Sequence, residues 1–132
     1  MAVSQSTPSQ TNLNKSASAL AHQIADLALT KKADDVTILD LRGLTSIADY
    51  FVIASGASDT QVKAIVDAIT DGLEPESSPW HREGYESLRW VLLDFVDVVV
   101  HVFQRNIRDF YGLENLWSDA EIEQITEEDL TE

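Results

Sequence analysis

The chain contains no cysteine, which excludes disulfides, thiolate metal sites and a cysteine nucleophile and fits a reducing compartment. Basic residues are scarce: 9 Lys and Arg stand against 23 Asp and Glu, for a net charge of −14. Such a field repels phosphate backbones and attracts basic surfaces. Direct, charge-driven nucleic-acid binding is therefore not expected. No apolar run approaches the roughly 20 residues of a membrane span, so no membrane association is expected. The N-terminus has neither the basic start and apolar stretch of a secretory signal nor the Arg-rich, amphipathic character of an organelle transit peptide. A bacterial-type cytoplasmic location is the expectation.

At 132 residues the chain fits one domain with a modest core. Residues 1–14 carry no charged side chain and are rich in Ser, Thr, Gln and Asn, a composition that reads as a disordered tail. Residues 118–132 hold seven acidic side chains and no basic one, and read as a short solvated segment followed by a frayed end.

Between the ends, Leu20, Ile24 and Leu27 recur at helical spacing beside Ala17, Ala21 and Ala28, predicting an amphipathic helix over residues 16–32. Residues 36–41 and 50–54 read as strands. Ser58 and Gln61 form a capping-box pattern that opens a helix over 59–72, closed by Gly72 and Pro75. Residues 74–86 read as a connector carrying Trp80 and His81 at the surface. Residues 88–95 and 97–103 are strands joined too tightly for a crossover, hence an antiparallel hairpin. Asn106 and Asp109 then start a third helix that runs through Trp117, with Ile107, Phe110, Leu113 and Trp117 as its core stripe. Short strand-to-strand links together with helical crossovers predict a single small α/β domain with a mixed sheet and flanking helices.

Catalytic chemistry finds little support. Ser55-Gly56 lies between a strand and a helix N-terminus, where backbone amides favour anions, but no glycine-rich phosphate loop surrounds it and a plain tight turn explains it as well. Nucleotidyltransferases place paired carboxylates at alternating positions on a strand. Here Asp67 and Asp71 share a helix and Asp94 and Asp97 flank a turn, so the fold is expected to be nucleotidyltransferase-like without the catalytic carboxylates. His22, His81 and His101 lack metal-helix spacing, and Ser55, Ser58 and Ser87 lack a nucleophile elbow. No enzyme activity, metal or cofactor is expected.

The stretch from Trp90 to Trp117 concentrates two of the three Trp and three of the four Phe. Strand alternation sets Val91, Leu93, Val98, Val100 and Val102 on one face and Trp90, Leu92, Asp94, Val99, His101 and Phe103 on the other. The second face is too apolar for a solvated one. It is either covered by this chain's own helices or kept for a partner.

Three blocks then resemble the ribosomal silencing factor, or Iojap-like, family: ADYFVIASGASDTQVKAI at 48–65, WVLLDFVDVVVHVF at 90–103 and RDFYGLENLWSDA at 108–120. The resemblance implies a tail at 1–14, a ribosomal silencing factor domain at 15–123 and an acidic C-terminal tail at 124–132. It implies a translational repressor that binds the large ribosomal subunit through the fourteenth large-subunit ribosomal protein. By occupying that surface it would block joining of the small subunit and lower translation under nutrient limitation.

The family's partner-binding residues would fall on Trp90, Leu92, Asp94, Arg108, Tyr111, Leu113, Glu114, Leu116 and Trp117. Where many relatives have Tyr-Gly, this chain has Phe95-Val96; Val does not readily take a positive φ, so a different turn is expected there. A nucleotidyltransferase-like enzyme and a self-associating acidic module, possibly a homodimer, are the alternatives.

Overall fold

The computed structural model describes residues 17–127; the expected disordered tail at 1–14 lies outside them, as does most of the acidic end. A first helix, α1, covers residues 17–29. Then come β1 (Asp34–Asp40), β2 (Tyr50–Gly56), α2 (Asp59–Gly72), a 3-10 turn (Pro75–Ser77), β3 (His81–Glu83), β4 (Trp90–Asp94), β5 (Val98–Gln104), α3 (Arg105–Tyr111), α4 (Leu113–Leu116) and β6 (Glu121–Gln124). The strands form one six-stranded sheet in the order β3-β4-β5-β2-β1-β6. Only β2 and β5 run parallel, joined through the α2 crossover; the remaining pairs are antiparallel. The sheet is mixed, as the link lengths require.

The limits of α2 follow from its ends. Ser58 Oγ accepts from the Gln61 amide at 3.2 Å, and the Gln61 carboxamide oxygen accepts from the Ala57 amide at 2.7 Å. The same side chain donates to the carbonyls of Lys31 and Lys32 at 3.1 and 3.0 Å. One residue thus caps α2 and ties it to the chain leaving α1. Val62, Ile65, Val66 and Ile69 of α2 are buried against the sheet, each stabilising the fold by roughly 1.5–3 kcal/mol. On α1 the alanines do more than their size suggests: Ala21, Ala25 and Ala28 are fully buried with Ile24, while Leu20 and Leu27 lie at the rim. Small residues let the helix approach the sheet closely.

Five features differ from the sequence reading. His81–Glu83 is a strand rather than connector, paired antiparallel with β4. Glu121–Gln124 is a strand rather than solvated coil, paired antiparallel with β1, and Ile125 after it is buried. The third helix is two: it stops at Gly112, whose φ of 57° is left-handed, and restarts as α4. Its N-cap is Gln104, with no side-chain capping bond, rather than Asn106. Finally, Phe110 is 81% exposed although Ile107, Leu113 and Trp117 of the same expected stripe do pack inward: α3 turns Arg108 to the sheet, which puts Phe110, two residues or about 200° further round, on the opposite side.

Candidate functional site: a half-covered sheet face

The two faces of the sheet have different fates. On the first, Val91, Leu93, Val98, Val100 and Val102 all reach 0% exposure beneath α1 and α2, as alternation predicts. On the second, Leu39, Phe51, Ile53, Val99 and Phe103 form a smaller core with Leu41, Ala48 and Ala120, against which Ile107, Leu113 and Trp117 pack. α3 lies against β5 and β2. β4 is left at the margin of this cover. Its burial alternates residue by residue, with Trp90, Leu92 and Asp94 only partly buried while Val91 and Leu93 are sealed. The choice between self-covered core and open face therefore resolves strand by strand.

Registers place the open residues. Trp90 pairs with Phe103, Leu92 with His101 and Asp94 with Val99 across β4 and β5. On the outer side His81 of β3 pairs with Asp94 and Glu83 with Leu92; His81 and Glu83, two residues apart and so on one face, are hydrogen-bonded at 2.7 Å. The open strip thus has an apolar middle and a charged margin.

Aromatic rings connect this strip to α3. Trp90 stacks on Phe103 with ring centroids 4.9 Å apart and meets Tyr111 at 4.6 Å. Tyr111 in turn meets Phe110 edge-on at 5.1 Å. On the inner side Phe51 contacts His101 at 4.6 Å and Trp117 at 6.1 Å. The outermost rings are the least covered: Phe110 is 81% and Tyr111 50% exposed, and the Leu116 side chain on α4 is 70% exposed. Phe110 belongs to this patch although the sequence stripe assigned it inward. Its exposure follows from the burial of Arg108 on the same helix, from which Phe110 stands about 200° away.

Of the expected partner-binding residues, Trp90, Leu92, Asp94, Tyr111 and Leu116 have surface to offer. Leu113 and Trp117 are partly buried against the second core. Arg108 lies below the surface at 6% exposure. Its guanidinium donates to Ser55 Oγ at 2.7 Å, to Thr37 Oγ1 at 3.3 Å and to Glu114 at 3.1 Å. It bolts α3 and α4 to β1 and β2, and Glu114 is held inward with it. Ser55, considered above for an anion-binding turn, is taken up by this arginine.

Asp94 is also held in place. Its Oδ1 accepts from the Val96 amide at 2.8 Å, and the Phe95 amide donates to the Val98 carbonyl at 2.8 Å. Val96 has φ 77°, so the turn keeps the positive φ that valine was expected to refuse. The carboxylate cap and the tight hairpin hold the β-branched residue in a strained region. Asp67 has local partners too: it accepts from Lys63 at 2.9 Å and from the Tyr85 hydroxyl at 2.7 Å.

Comparison with known proteins agrees with this architecture. The model of the family described as "Ribosomal silencing factor during starvation" matches residues 14–132. Ribosomal silencing factor RsfS of Bacillus subtilis is 44% identical over 72% of this chain and 81% of that protein; its namesake from Halalkalibacterium halodurans is 46% identical over 68% and 78%. The chloroplast protein Iojap of Arabidopsis thaliana is 33% identical over 77% of this chain and 43% of its own length. A crystal structure of a Chromobacterium violaceum protein superimposes with a TM-score of 0.70 at 36% identity, covering 79% of this chain and 85% of that one. A Bacillus halodurans structure gives 0.64 at 41% identity, covering 72% and 90%. By the family match, the identity to its relatives and the shared fold, this chain belongs to the ribosomal silencing factor family.

Proposed function

We propose that the chain is a cytoplasmic translational repressor that docks on the large ribosomal subunit, through the fourteenth large-subunit ribosomal protein, and keeps the small subunit from joining by steric exclusion. It acts by binding, not catalysis. The observation that carries this reading is the half-covered sheet face. Trp90, Leu92 and Asp94 stay partly exposed on β4 while Val91 and Leu93 between them are sealed, and the exposed Phe110–Tyr111 pair adds to the patch. Aromatic anchors ringed by polar groups are what protein interfaces use. A net charge of −14 favours a basic protein surface over bare ribosomal RNA.

In this reading Trp90, Leu92, Tyr111, Phe110 and Leu116 make the apolar contact. Asp94, oriented by the Val96 amide, pairs with a basic group. Arg108 and Glu114 fix the height of α3 and α4 beneath the contact. Leu113 and Trp117 support them from below.

The test is binary binding of the full chain to the purified fourteenth ribosomal protein by calorimetry. Saturable one-to-one binding that Asp94→Lys weakens is the expected result. An absence of heat at high concentration, with the chain folded, defeats the choice of partner.

A further inference from the structure

We infer that His101 is a positioning residue for docking: it accepts the indole proton of Trp90 and so sets which part of that ring is offered to a partner. The inference rests on the docking reading above and deepens it. Alternation on β5 puts His101 on the same face as Val99 and Phe103. The register pairs it with Leu92, which makes Trp90 its diagonal neighbour, within reach of two aromatic side chains. Trp90 Nε1 donates to His101 Nδ1 at 3.1 Å. An accepting Nδ1 places the imidazole proton on Nε2.

The histidine itself has no freedom to move. It is 4% exposed, with Phe51 edge-on at 4.6 Å and the Phe103 ring nearly parallel to it, centroids 6.2 Å apart. Nε2 is enclosed and meets no hydrogen-bonding partner among the described residues. The ring's polar capacity is therefore spent on Trp90 alone, and a buried donor is left over. An apolar ring would fill the same space without that penalty. What it would not supply is an acceptor. Burial also holds the imidazole pKa down at about 4, so the lone pair on Nδ1 is free at neutral pH.

The consequence for Trp90 is directional. An indole N–H seeks a partner when it is partly buried. With His101 as that partner the nitrogen edge turns to a buried side chain while the ring lies against Phe103 and Tyr111, so the part offered to a partner is hydrocarbon. Without it, the nearest alternative acceptor for the nitrogen is solvent, and reaching it turns the polar edge outward. A docking anchor fixed in its bound orientation spares the entropy of ordering it on contact.

The experiment uses the full chain with labelled tryptophan, the three indole resonances being assigned by single Trp→Phe changes. Two quantities are read: hydrogen exchange at the Trp90 indole, and affinity for purified large ribosomal subunits. His101→Phe, which keeps the ring and removes the acceptor, is expected to speed exchange by about tenfold and to weaken binding by about tenfold. His101→Asn, whose Oδ1 stands close to the position of Nδ1, is expected to restore slow exchange and most of the affinity. In a Trp90→Ala background His101→Phe should add no further loss of binding. If the Phe variant does not fold, His101→Leu takes its place.

Exchange that ignores residue 101 overturns the inference, and so does faster exchange with wild-type affinity. Failure of the wild-type chain to bind large subunits removes the docking reading itself. That outcome is recognised because the exchange contrast between the variants persists.

Discussion

Arg108 and Glu114 are paired across the helix break at Gly112, Nε of the arginine donating to the carboxylate at 3.1 Å. The pair joins the last residues of α3 to α4, and the other arms of the guanidinium reach Ser55 and Thr37 on two strands. The arginine is buried and the Glu114 side chain is 31% exposed, so removing Arg108 leaves a partly covered carboxylate and the buried Ser55 hydroxyl without their partner. Arg108→Ala should therefore destabilise the domain by about 3 kcal/mol, read from the denaturant midpoint. A double change, Arg108→Met with Glu114→Leu, should recover much of that loss. A midpoint unmoved by Arg108→Ala would show that the pair does not hold the two helices.

The turn at Val96 makes a prediction of opposite sign. Its φ of 77° places a β-branched side chain where steric cost is high, and Val96 is largely exposed, so little packing is lost on trimming it. Val96→Gly should stabilise by about 1 kcal/mol, the relief of strain exceeding the added freedom of the unfolded chain. Thermal unfolding checks it; a lower Tm would mean that the valine side chain is used.

Gly84 guards the other side of the open strip. Its φ is 85°, and a Cβ there would lie 2.0 Å from the Trp90 carbonyl oxygen. Gly84→Ala should force β3 away from β4, costing about 2 kcal/mol and weakening docking through β4. Amide exchange along residues 90–94 at the wild-type rate would contradict this.

How much of this was readable beforehand depended on whether a residue's role is local. The limits of α2 are legible because Ser58 with Gln61 at one end, and Gly72 with Pro75 at the other, each act within about one turn. The inward set on β4 and β5 was legible because alternation needs no partner. β3 and β6 were not: HRE and EIEQ are short, charged and exposed, and only backbone pairing with a neighbouring edge makes them strands. Arg108 reads as a partner-binding residue and the cover of His101 stays open in the sequence because their partners are non-local, Ser55 and Thr37 lying 53 and 71 residues from Arg108. Phe110 faces outward because Arg108, a charged residue that the apolar stripe leaves out, takes the inward side of α3.

Two histidines should give the stability curve opposite slopes. Burial alone would lower the pKa of His22, but hydrogen bonds to the Ser18 carbonyl and the Glu123 carboxylate outweigh it and raise the value above 6.5. Its contribution is present below pH 6.5 and is lost as pH rises through the folded value. Burial depresses His101 to about 4, so its contribution is complete above pH 6.5 and is lost as pH falls towards 4, by roughly 3 kcal/mol. His101→Phe should flatten the acid side of a plot of Tm against pH, and His22→Gln the alkaline side. A Tm profile unaffected by either change contradicts the assignment.

Phe110 separates docking from stability. It is 81% exposed and touches Tyr111 edge-on, so Phe110→Ser should change stability by no more than about 0.5 kcal/mol. Affinity for large subunits should fall by about fivefold or more. Undiminished affinity would exclude Phe110 from the interface.

The most direct measurement is subunit joining. Large and small ribosomal subunits are mixed under conditions that favour joining, with and without the full chain, and resolved on a sucrose gradient. The prediction is that the chain travels with large subunits while the peak of joined ribosomes falls and free subunits rise. Trp90→Ala, still folded, should lose both effects. A joined-ribosome peak that stays constant at saturating chain, or a chain that remains at the top of the gradient, would contradict repression by steric exclusion.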